Sequence, residues 1–522
     1  MVANKLPVLL DQYGNPMMTD RRAQIQAFYQ QQLTRMLKAR FDSAQTVTGN
    51  ENHWSNADHL DPITVASETV RKKLRSRSRY ELIENNPFLK GTVLTIVSDF
   101  VGRGPKLQIT DKRLTVERKK RIEEVWSQWA KSIRLRHKLW RMRMAKIVDG
   151  EAFSRMYFNP RRRIKSPVTL DYHVFECDRV ADDGQSPPKN ASPADGSIGM
   201  IDGVKFDGYE NPLEYFILDQ HPGNGLQYFG NGTRRGKWTP AEQVIHWFRQ
   251  DRGWIRGIPE LASSLNLCAL LRRYTLALVR HAETAADFTA IVESEAPPGA
   301  HAWTDGNGNQ VQDDPFDVFP IEMGMIMNLP WGYKIKQLEA VPVGTQYDVF
   351  VGSVLREITR PLLTPYNIVS GTSKDSNMAS GVLDQNIYKG GQQNERTDCE
   401  EVVLDPMLDM FWYEASRIRG LLGDDFLSSD PMFAANAPEH TWRWDRIGLD
   451  HTDPSRVASA LETLHNKRFL TDRDIQETYY NRDVEDWRQE IEEDDAFREH
   501  IIDFANPKPD PSKTPVTASG ET

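Results

Sequence analysis

The second half of the chain carries three helical patterns, interrupted once by a β-type segment and once by a polar loop. Apolar residues recur at helical spacing over 259–286, 345–363 and 378–419. Between the first two, segments 289–293 and 332–338 are predicted to pair as strands. A long helix, a small β module and a second long helix therefore follow one another, which few compact folds accommodate.

Two further details belong to these helices. Pro259 is expected to begin the first helix, at the position where a missing N–H is harmless. Bends are expected in the third helix at Gly390-Gly391 and at Pro406. The excursion 302–315 inside the β module is rich in Gly and Asn, so we expect it to be exposed and to contact partners.

The first half is predicted to be an α+β unit, in which helices precede a mostly antiparallel sheet. The helices are expected at Thr69–Asn85, Leu89–Val101 and, as one long helix, Thr115–Val148. The short strands are expected at Ala152–Phe158, Thr169–Val180, Gly203–Phe206, Leu213–Asp219 and Gln243–Phe248. After the third long helix, an irregular stretch with Trp442 and Trp444 precedes a helix from Asp453-Pro454 to about Lys467.

Composition excludes several classes of protein. No run of about 18 apolar residues is present, so a membrane span is not expected, and the N-terminal residues lack the apolar core of a signal peptide. Cys177, Cys268 and Cys399 are odd in number and far apart, which indicates reduced, buried thiols rather than disulfides or a metal site.

The net charge of −9 conceals an asymmetric distribution. Residues 69–165 hold 27 Lys and Arg against 9 Asp and Glu, whereas residues 421–522 hold 11 basic against 23 acidic residues. A basic segment of this kind binds a polyanion, forms a solvated face or meets the acidic face of a partner subunit. The sequence alone leaves these alternatives open.

No motif supports catalysis. Gly230–Lys237 is the nearest approach to a phosphate-binding loop, but its glycine spacing fails and Trp238 stands where the metal-binding hydroxyl belongs. His246 lies in an apolar strand and is expected to be a hydrogen-bonded core or subunit-contact residue. The carboxylates of 490–495 are better explained as a solvated helix face than as a metal site. The sequence therefore predicts no catalytic residue, no metal and no cofactor.

The polar loop between the second and third helices has two interpretations. It is either a plain helix–helix connection or a loop that lines a conduit and touches a phosphate backbone weakly. One cation beside one anion, surrounded by small polar residues, gives weak and salt-sensitive attraction without sequence reading. The loop residues are Gly371, Thr372, Ser373, Lys374, Asp375, Ser376 and Asn377.

Several short segments, in their order along the chain, resemble the lambda-type portal proteins of tailed bacteriophages. The segments are Arg79–Pro87 with Val101–Gly104, Asp149–Phe153, Gly203–Pro212, Val244–Arg252 with Arg256–Pro259, and Val354–Ile358 with Asn377–Gly381. Each is weak alone, and their collinear order is what makes the resemblance specific. It covers roughly residues 69–494, although Met378 stands where relatives often carry an aromatic residue.

The resemblance implies the portal fold, in which subunits assemble into a ring: an α/β wing, a helical stem, a β-containing clip, a kinked tunnel helix and a helical crown. The implied regions are an arm, partly flexible (1–68), the wing (69–256), stem helix 1 (257–286), the clip (287–342), stem helix 2 (343–366), the tunnel loop (367–380), the tunnel helix with its return to the wing (381–452), the acidic crown (453–504) and a disordered tail (505–522).

The resemblance also implies a function and partners. The chain would be a non-enzymatic, dodecameric ring at one capsid vertex of a virion assembled in the host cytoplasm, and a channel for packaging and ejecting double-stranded DNA. Its expected partners are other copies of itself, the terminase large subunit, head–tail connector proteins, the major capsid protein and a scaffolding protein, with no membrane. The clip residues expected to dock partners are Trp303, Asp305, Asn307, Asn309, Asp313 and Asp314.

Two alternatives remain open at this point. The chain could be another ring or shell component of a virion, such as a capsid or tail-connector subunit, although the helix–β–helix order argues against it. It could also be a DNA-processing enzyme that uses the basic helix at 115–148, but no acidic metal constellation accompanies that helix.

Overall fold

The computed structural model describes most of the chain from residue 59 to residue 495. The described residues are 59–161, 164–182, 199–223, 236–287, 291–294, 302–304, 307, 310–312, 333–336, 345–372, 378–422, 437–444, 454–472, 475–476, 487–488, 490–492 and 494–495. The predicted arm up to residue 58 and the predicted tail lie outside them. The chain divides into two units, Met1–Val65 and Ala66–Thr522, and the first contributes one helical turn, α1 (Pro62–Val65).

Helices dominate the first hundred residues of the second unit. They are α2 (Glu68–Arg79), continued by a π-helical turn (Tyr80–Asn85), then α3 (Pro87–Val101), α4 (Val116–Ile133) and α5 (Leu135–Asp149). Asn86 separates the first two because its side chain accepts the Leu89 N–H at 3.4 Å and Pro87 cannot continue a preceding helix.

The prediction of one helix over 115–148 was wrong. Arg134 adopts a left-handed conformation, with φ of 57°, and divides the segment into α4 and α5. Its N–H donates to the Lys131 carbonyl at 3.2 Å, which closes α4 as a C-terminal cap. A non-glycine residue rarely takes this conformation, so apolar periodicity gives no warning of the break.

Two antiparallel sheets follow the helices. The first has the strand order β3 (Leu170–Phe175), β2 (Glu151–Phe158), β8 (Val244–Phe248). The second has the order β4 (Gly199–Ile201), β5 (Val204–Phe206), β6 (Pro212–Leu218), β7 (Gly236–Pro240). The sequence missed β4 and β7. It also extended β3 too far, because Cys177–Arg179 forms a 3₁₀ turn.

A two-stranded sheet joins distant parts of the chain. Strand β1 (Lys106–Ile109) pairs antiparallel with β13 (His440–Arg443), and Leu107 lies opposite Trp442. Both strands were missed because each is four residues long and its partner is more than 300 residues away. Trp442 therefore lies in a sheet and not in an irregular stretch.

The long helices of the second half are close to their predicted positions. They are α6 (Leu265–Asp287), α7 (Thr345–Thr359) followed by a 3₁₀ turn (Arg360–Leu362), α8 (Tyr366–Ser370), α9 (Met378–Cys399), a π-helical turn (Glu400–Leu404), α10 (Asp405–Ala415) and α11 (Pro454–Asn466). Beyond α11, residues 487–488, 490–492 and 494–495 are helical.

One predicted detail of these helices needs correction. Helix α6 begins at Leu265, after a 3₁₀ turn at Ala262–Ser264, and not at Pro259. The segment before it is held elsewhere, because the Glu260 N–H donates to the Ile147 carbonyl at 3.2 Å. Helix α9 is α-helical through Gly390-Gly391, and a π-helical turn at 400–404 lies shortly before Pro406.

Short strands lie between α6 and α7, as predicted. Strand β9 (Ile291–Ser294) pairs antiparallel with β12 (Tyr333–Lys336), which confirms the predicted pairing. The excursion contains a hairpin of β10 (Ala302–Thr304) and β11 (Gln310–Gln312).

The largest hydrophobic cluster packs α4, α5 and the first sheet against α10 and the π-helical turn before it (Glu400–Leu404). Its centre is aromatic: the ring of Phe411 lies 5.0 Å from that of Trp126 and 4.9 Å from that of Trp129. A second cluster packs α3 and the end of α5 against α6, α7 and Tyr388 of α9. The first half of the chain and the long helices therefore share their cores.

Candidate functional site

The structure describes only part of the two sites predicted from the sequence. In the polar loop, Gly371 ends α8 with a φ of 67° and Thr372 is exposed, whereas 373–377 lie outside the described residues. The loop is shorter than the predicted 367–380, because 366–370 and 378–380 are helical.

In the β module, Trp303 lies in β10 opposite Val311, and Asn307 is an exposed turn residue of the same hairpin. Asp305, Asn309, Asp313 and Asp314 lie outside the described residues. The structure thus brings two of the six predicted docking residues onto one hairpin.

A buried charged joint, which sequence reasoning missed, holds the segment leading into α6 against the first sheet. It consists of Arg75, Glu151, His246 and Arg256. The Glu151 carboxylate is fully buried and accepts from Arg256 Nη2 at 2.7 Å and Nε at 2.9 Å, from Arg75, and from the Gly257 N–H at 3.0 Å. His246 Nε2 lies 3.0 Å from Glu151 Oε2, which confirms His246 as a hydrogen-bonded core histidine.

Opposing effects set the charge of this joint. Burial alone would raise the pKa of Glu151, but the attraction of Arg256 and Arg75 and the His246 hydrogen bond hold that pKa well below its usual range. Burial lowers the pKa of His246 despite its contact with Glu151. Glu151 therefore stays ionised and His246 neutral at pH 7.

The same joint is closed sterically by two glycines. A Cβ atom on Gly257 would lie 2.6 Å from the Gly150 carbonyl carbon, and one on Gly150 would lie 2.5 Å from the Pro259 nitrogen. Gly150 also has a φ of 87°. The backbones of β2 and of the segment before α6 are therefore in contact, with no room for side chains between them.

A second buried set, the Lys146 network, connects α5 to α9 and to the start of α6. Lys146 Nζ lies 2.7 Å from Asp398 Oδ2 and 2.9 Å from Glu395 Oε2, and 4.4 Å from the centre of the Trp247 ring. Arg143 Nη1 lies 2.5 Å from Glu260 Oε1 and 3.5 Å from Glu395 Oε2. Arg143 and Lys146, which lie one turn apart on α5, thus form ion pairs with α9 and with the segment that leads into α6.

These contacts change the interpretation of the basic segment. Arg71, Arg75, Arg143 and Lys146 are buried, with ion-pair partners drawn from outside the basic segment as well as from Glu151. Part of the positive charge therefore stabilises the fold rather than meeting a solvent-borne polyanion. Asp149–Phe153 and Arg256–Pro259, the two segments that meet in the joint, both stand out in the sequence. No feature of the sequence indicates that they contact each other.

Two clusters, one of two carboxylates with a histidine and one of three carboxylates, have metal-ligand spacing within the described residues. They are Glu176, Asp178 and His221, and Glu68, Asp182 and Asp202. Arginines already compensate both: Arg79 Nη1 lies 2.8 Å from Asp178, and Arg71 Nη1 lies 2.7 Å from Asp202. Neither cluster indicates a metal centre. Among the described helices, none combines the length and apolar character that a membrane span requires.

The long helices expose large apolar side chains. Leu270, Leu276 and Val279 of α6 are 50–56% exposed, and Val349 of α7 is 70% exposed. On α9, Val382, Leu383 and Ile387 are 51%, 66% and 54% exposed. Such surfaces on three helices favour burial against another protein surface.

A family comparison decides between the classes of protein left open above. The model of the family described as "Phage portal protein, lambda family" matches residues 57–381, more than half of the chain. The chain belongs to the lambda family of phage portal proteins. This confirms the resemblance seen in the sequence, and the family is structural rather than catalytic.

One curated relative and several solved structures are also similar. The "Probable portal protein" of Halomonas phage phiHAP-1 is 25% identical over 275 residues, which are 50% of this chain and 48% of the relative. The chain thus matches about half the length of that relative.

The structures are a native gene transfer agent virion (11% identity, TM-score 0.39, covering 77% of this chain and 92% of the other) and two gene transfer agent necks. The native neck, with C12 symmetry, has 12% identity and a TM-score of 0.37, and the empty neck, with C6 symmetry, has 12% identity and a TM-score of 0.41; each covers 78% of this chain and 92% of the other.

Proposed function

We propose that the chain is the portal subunit of a virion, and that about twelve copies close into a ring at one capsid vertex. The ring serves as the channel through which double-stranded DNA is packaged and ejected. We assign no catalytic role to its subunits and assign the energy for translocation to a partner. Assembly takes place in the host cytoplasm.

The observation that carries the proposal is the apolar exposure of α6, α7 and α9 in a chain of the portal family. A subunit that acted alone would leave Leu383, Ile387 and Val349 in water. Burial of apolar area gains roughly 25 cal/mol per Å², so lateral contact between copies is favourable. Helices of this kind in every copy suit a closed ring of heterologous contacts.

We assign regions to the parts of a portal subunit as follows: wing (69–256), stem helices (257–286 and 343–370), clip (287–342), tunnel loop (371–377), tunnel helix with return to the wing (378–452) and crown (453–504). The Lys146 network supports this division, because it links the wing to the approach to stem helix 1 and to the tunnel helix. A displacement of either helix would be transmitted to α5 through the ion pairs of the Lys146 network.

The partners follow from the assignment. The β10–β11 hairpin of the clip docks the terminase large subunit during packaging and the head–tail connector proteins afterwards. The wing meets the major capsid protein and, during assembly, a scaffolding protein. The tunnel loop faces DNA without reading its sequence, and Lys374 gives one weak phosphate contact for each copy.

The experiment is negative-stain microscopy with mass photometry of the purified chain. The expected result is a ring of about twelve copies with an open centre. A matched variant, Leu383→Ser with Ile387→Ser, should lower the ring fraction, whereas Tyr413→Ser, another exposed position, should not. A chain that stays solitary in every solvent, or a ring whose centre is filled by folded protein, would overturn the proposal.

A further inference from the structure

A continuous positive surface covers α5 and the exposed end of the first sheet. This cationic face consists of Arg134, His137, Arg141, Arg155, His173 and Arg179. It is distinct from the buried charged joint, because Arg134, His137, Arg141 and His173 are exposed.

Arg134, which directly precedes α5, and His137 and Arg141 within α5 are spaced by three and four residues along the chain. Burial lowers the pKa of His137, and so does the charge of Arg134 and Arg141 on either side of it. His137 therefore lies in a local positive potential, to which Arg134 and Arg141 contribute.

On the sheet, Arg155 and His173 are opposite each other in the β2–β3 register. Burial lowers the pKa of His173, followed by the charges of Arg179, Arg141, Lys138 and Arg155. Arg141 thus acts on both histidines, and its Nη2 donates to the Val174 carbonyl at 3.3 Å. The helix and the sheet therefore present one electrostatic surface.

Among the residues that the structure describes, acidic groups near this surface are already engaged. Asp171 is paired with Lys138, and Asp219 acts on Arg179, whose guanidinium also donates to the Leu218 carbonyl at 2.7 Å. The remaining positive charge suits an anionic partner with several carboxylates or phosphates.

The chain itself carries such a partner at its other end. Residues 421–522 hold 23 acidic against 11 basic residues, and the helical residues Glu490, Glu492, Asp494 and Asp495 are all exposed. We propose that the cationic face of one copy binds these four acidic residues of a neighbouring copy. This inference rests on the ring of the proposed function and names a contact that orders its subunits.

A neighbouring copy is favoured over DNA for two reasons. A ring supplies one acidic helix for every cationic face, at fixed stoichiometry and close range. A contact between unlike surfaces is also what a head-to-tail ring requires.

The test uses two charge reversals in the full chain. One variant is Arg134→Glu with Arg141→Glu, and the other is Glu492→Lys with Asp495→Lys. Either alone places like charges at every interface, so we expect the ring fraction at 0.1 M salt to fall at least tenfold in mass photometry. A 1:1 mixture can alternate around a ring with all contacts attractive, and we expect it to recover to within twofold of the wild type.

The matched control reverses two exposed cations elsewhere, Lys73→Glu with Arg77→Glu, and should leave the ring fraction unchanged. Wild-type rings that persist in both single-site variants, or a mixture that fails to recover, would overturn the inference while leaving the proposed function intact. Weaker binding of a 30-base-pair duplex by Arg134→Glu with Arg141→Glu, with normal rings, would assign the face to DNA instead. If the wild-type chain forms no rings, both this inference and the proposed function are overturned.

Discussion

Arg256 Nη2 lies 2.7 Å from Glu151 Oε1, and neither side chain is more than 1% exposed. An ion pair so deeply buried costs much desolvation, and it is stable only because Arg75, His246 and the Gly257 N–H also satisfy the carboxylate. The pair fixes the backbone before α6 to the start of β2. It therefore sets the direction from which the long helix leaves the sheet.

Glu151→Gln is expected to lower the free energy of unfolding by about 3–5 kcal/mol, because the buried Arg256 loses its counter-charge and Arg75 keeps only its pair with Asp178. Urea denaturation followed by circular dichroism measures the loss. The control is Glu214→Gln, whose 2.7 Å pair with Lys205 is partly exposed and should contribute about 0–1 kcal/mol. Equal effects of the two substitutions would contradict a special role for the buried pair.

Asp111 gives a prediction for acid stability. The hydrogen bonds from the Arg113 side chain lower the pKa of Asp111 from 3.8 to about 2. A carboxyl group whose pKa is lower in the folded than in the unfolded protein stabilises the fold at pH values above its unfolded pKa. That stabilisation is lost as the pH falls through the folded pKa. Asp111→Asn should therefore cost about 1–2 kcal/mol above pH 4, discounted for the exposure of Arg113, and the cost should diminish as the pH falls from 4 through 2.

Unfolding of the wild type and Asp111→Asn would be compared at several pH values between 2 and 7. Glu117→Gln, an exposed change nearby on α4, serves as the reference and should have little effect. A difference between Asp111→Asn and the wild type that is constant with pH would show that the pair does not titrate as described.

Gly257→Ala is expected to destabilise the chain by about 2–4 kcal/mol, because the added methyl group would overlap the Gly150 backbone. Gly253→Ala, four residues earlier, meets nothing within 4 Å and should be neutral. Thermal unfolding of both variants distinguishes a steric requirement from a general intolerance of alanine in this segment. Two similar melting temperatures would contradict the close approach.

The Lys146 network can be tested by a double-mutant cycle. Lys146→Met removes the buried cation from Glu395 and from the partly exposed Asp398, and Asp398→Asn removes one of the two carboxylates that Lys146 contacts. The two changes together should therefore be less harmful than the sum. We expect a coupling energy of about 1–3 kcal/mol from denaturant unfolding. The partly exposed Lys205–Glu214 pair provides the comparison, with coupling below about 1 kcal/mol. Additive effects would show that α5 and α9 are not linked through this charge.

Deletion of Gly371–Asn377 should leave rings intact and reduce the number of DNA-filled particles at least tenfold. A replacement of the same length by Gly and Ser separates the effect of the side chains from that of loop length. Quantification of packaged DNA after nuclease treatment measures both. Loss of ring assembly on deletion would identify the loop as an ordinary structural joint.

Much of the helical architecture could be predicted because it depends on local patterns. The α6 and α7 apolar periodicity, the pairing of β9 with β12 and the start of α11 at Pro454 all follow from short stretches of sequence. The three cysteines are buried free thiols, as their spacing indicated.

The remaining features depend on distant partners. Arg134 carries no glycine or proline signal, so the break it makes depends on how α4 and α5 pack. Glu151 and Arg256 are about a hundred residues apart, and a single sequence does not show that they meet. The cations of the basic segment were interpreted as surface charge for the same reason.

The pairing of β1 with β13 has a consequence for synthesis. Residues 106–109 emerge from the ribosome more than 300 residues before their strand partner, and Trp126 also emerges long before Phe411 and Trp442. During that interval the sides of the indole ring that Phe411 and Trp442 later cover remain open, which makes the nascent chain prone to premature association. Translation speed and chaperone supply should therefore govern the yield of competent subunits more than their final stability does.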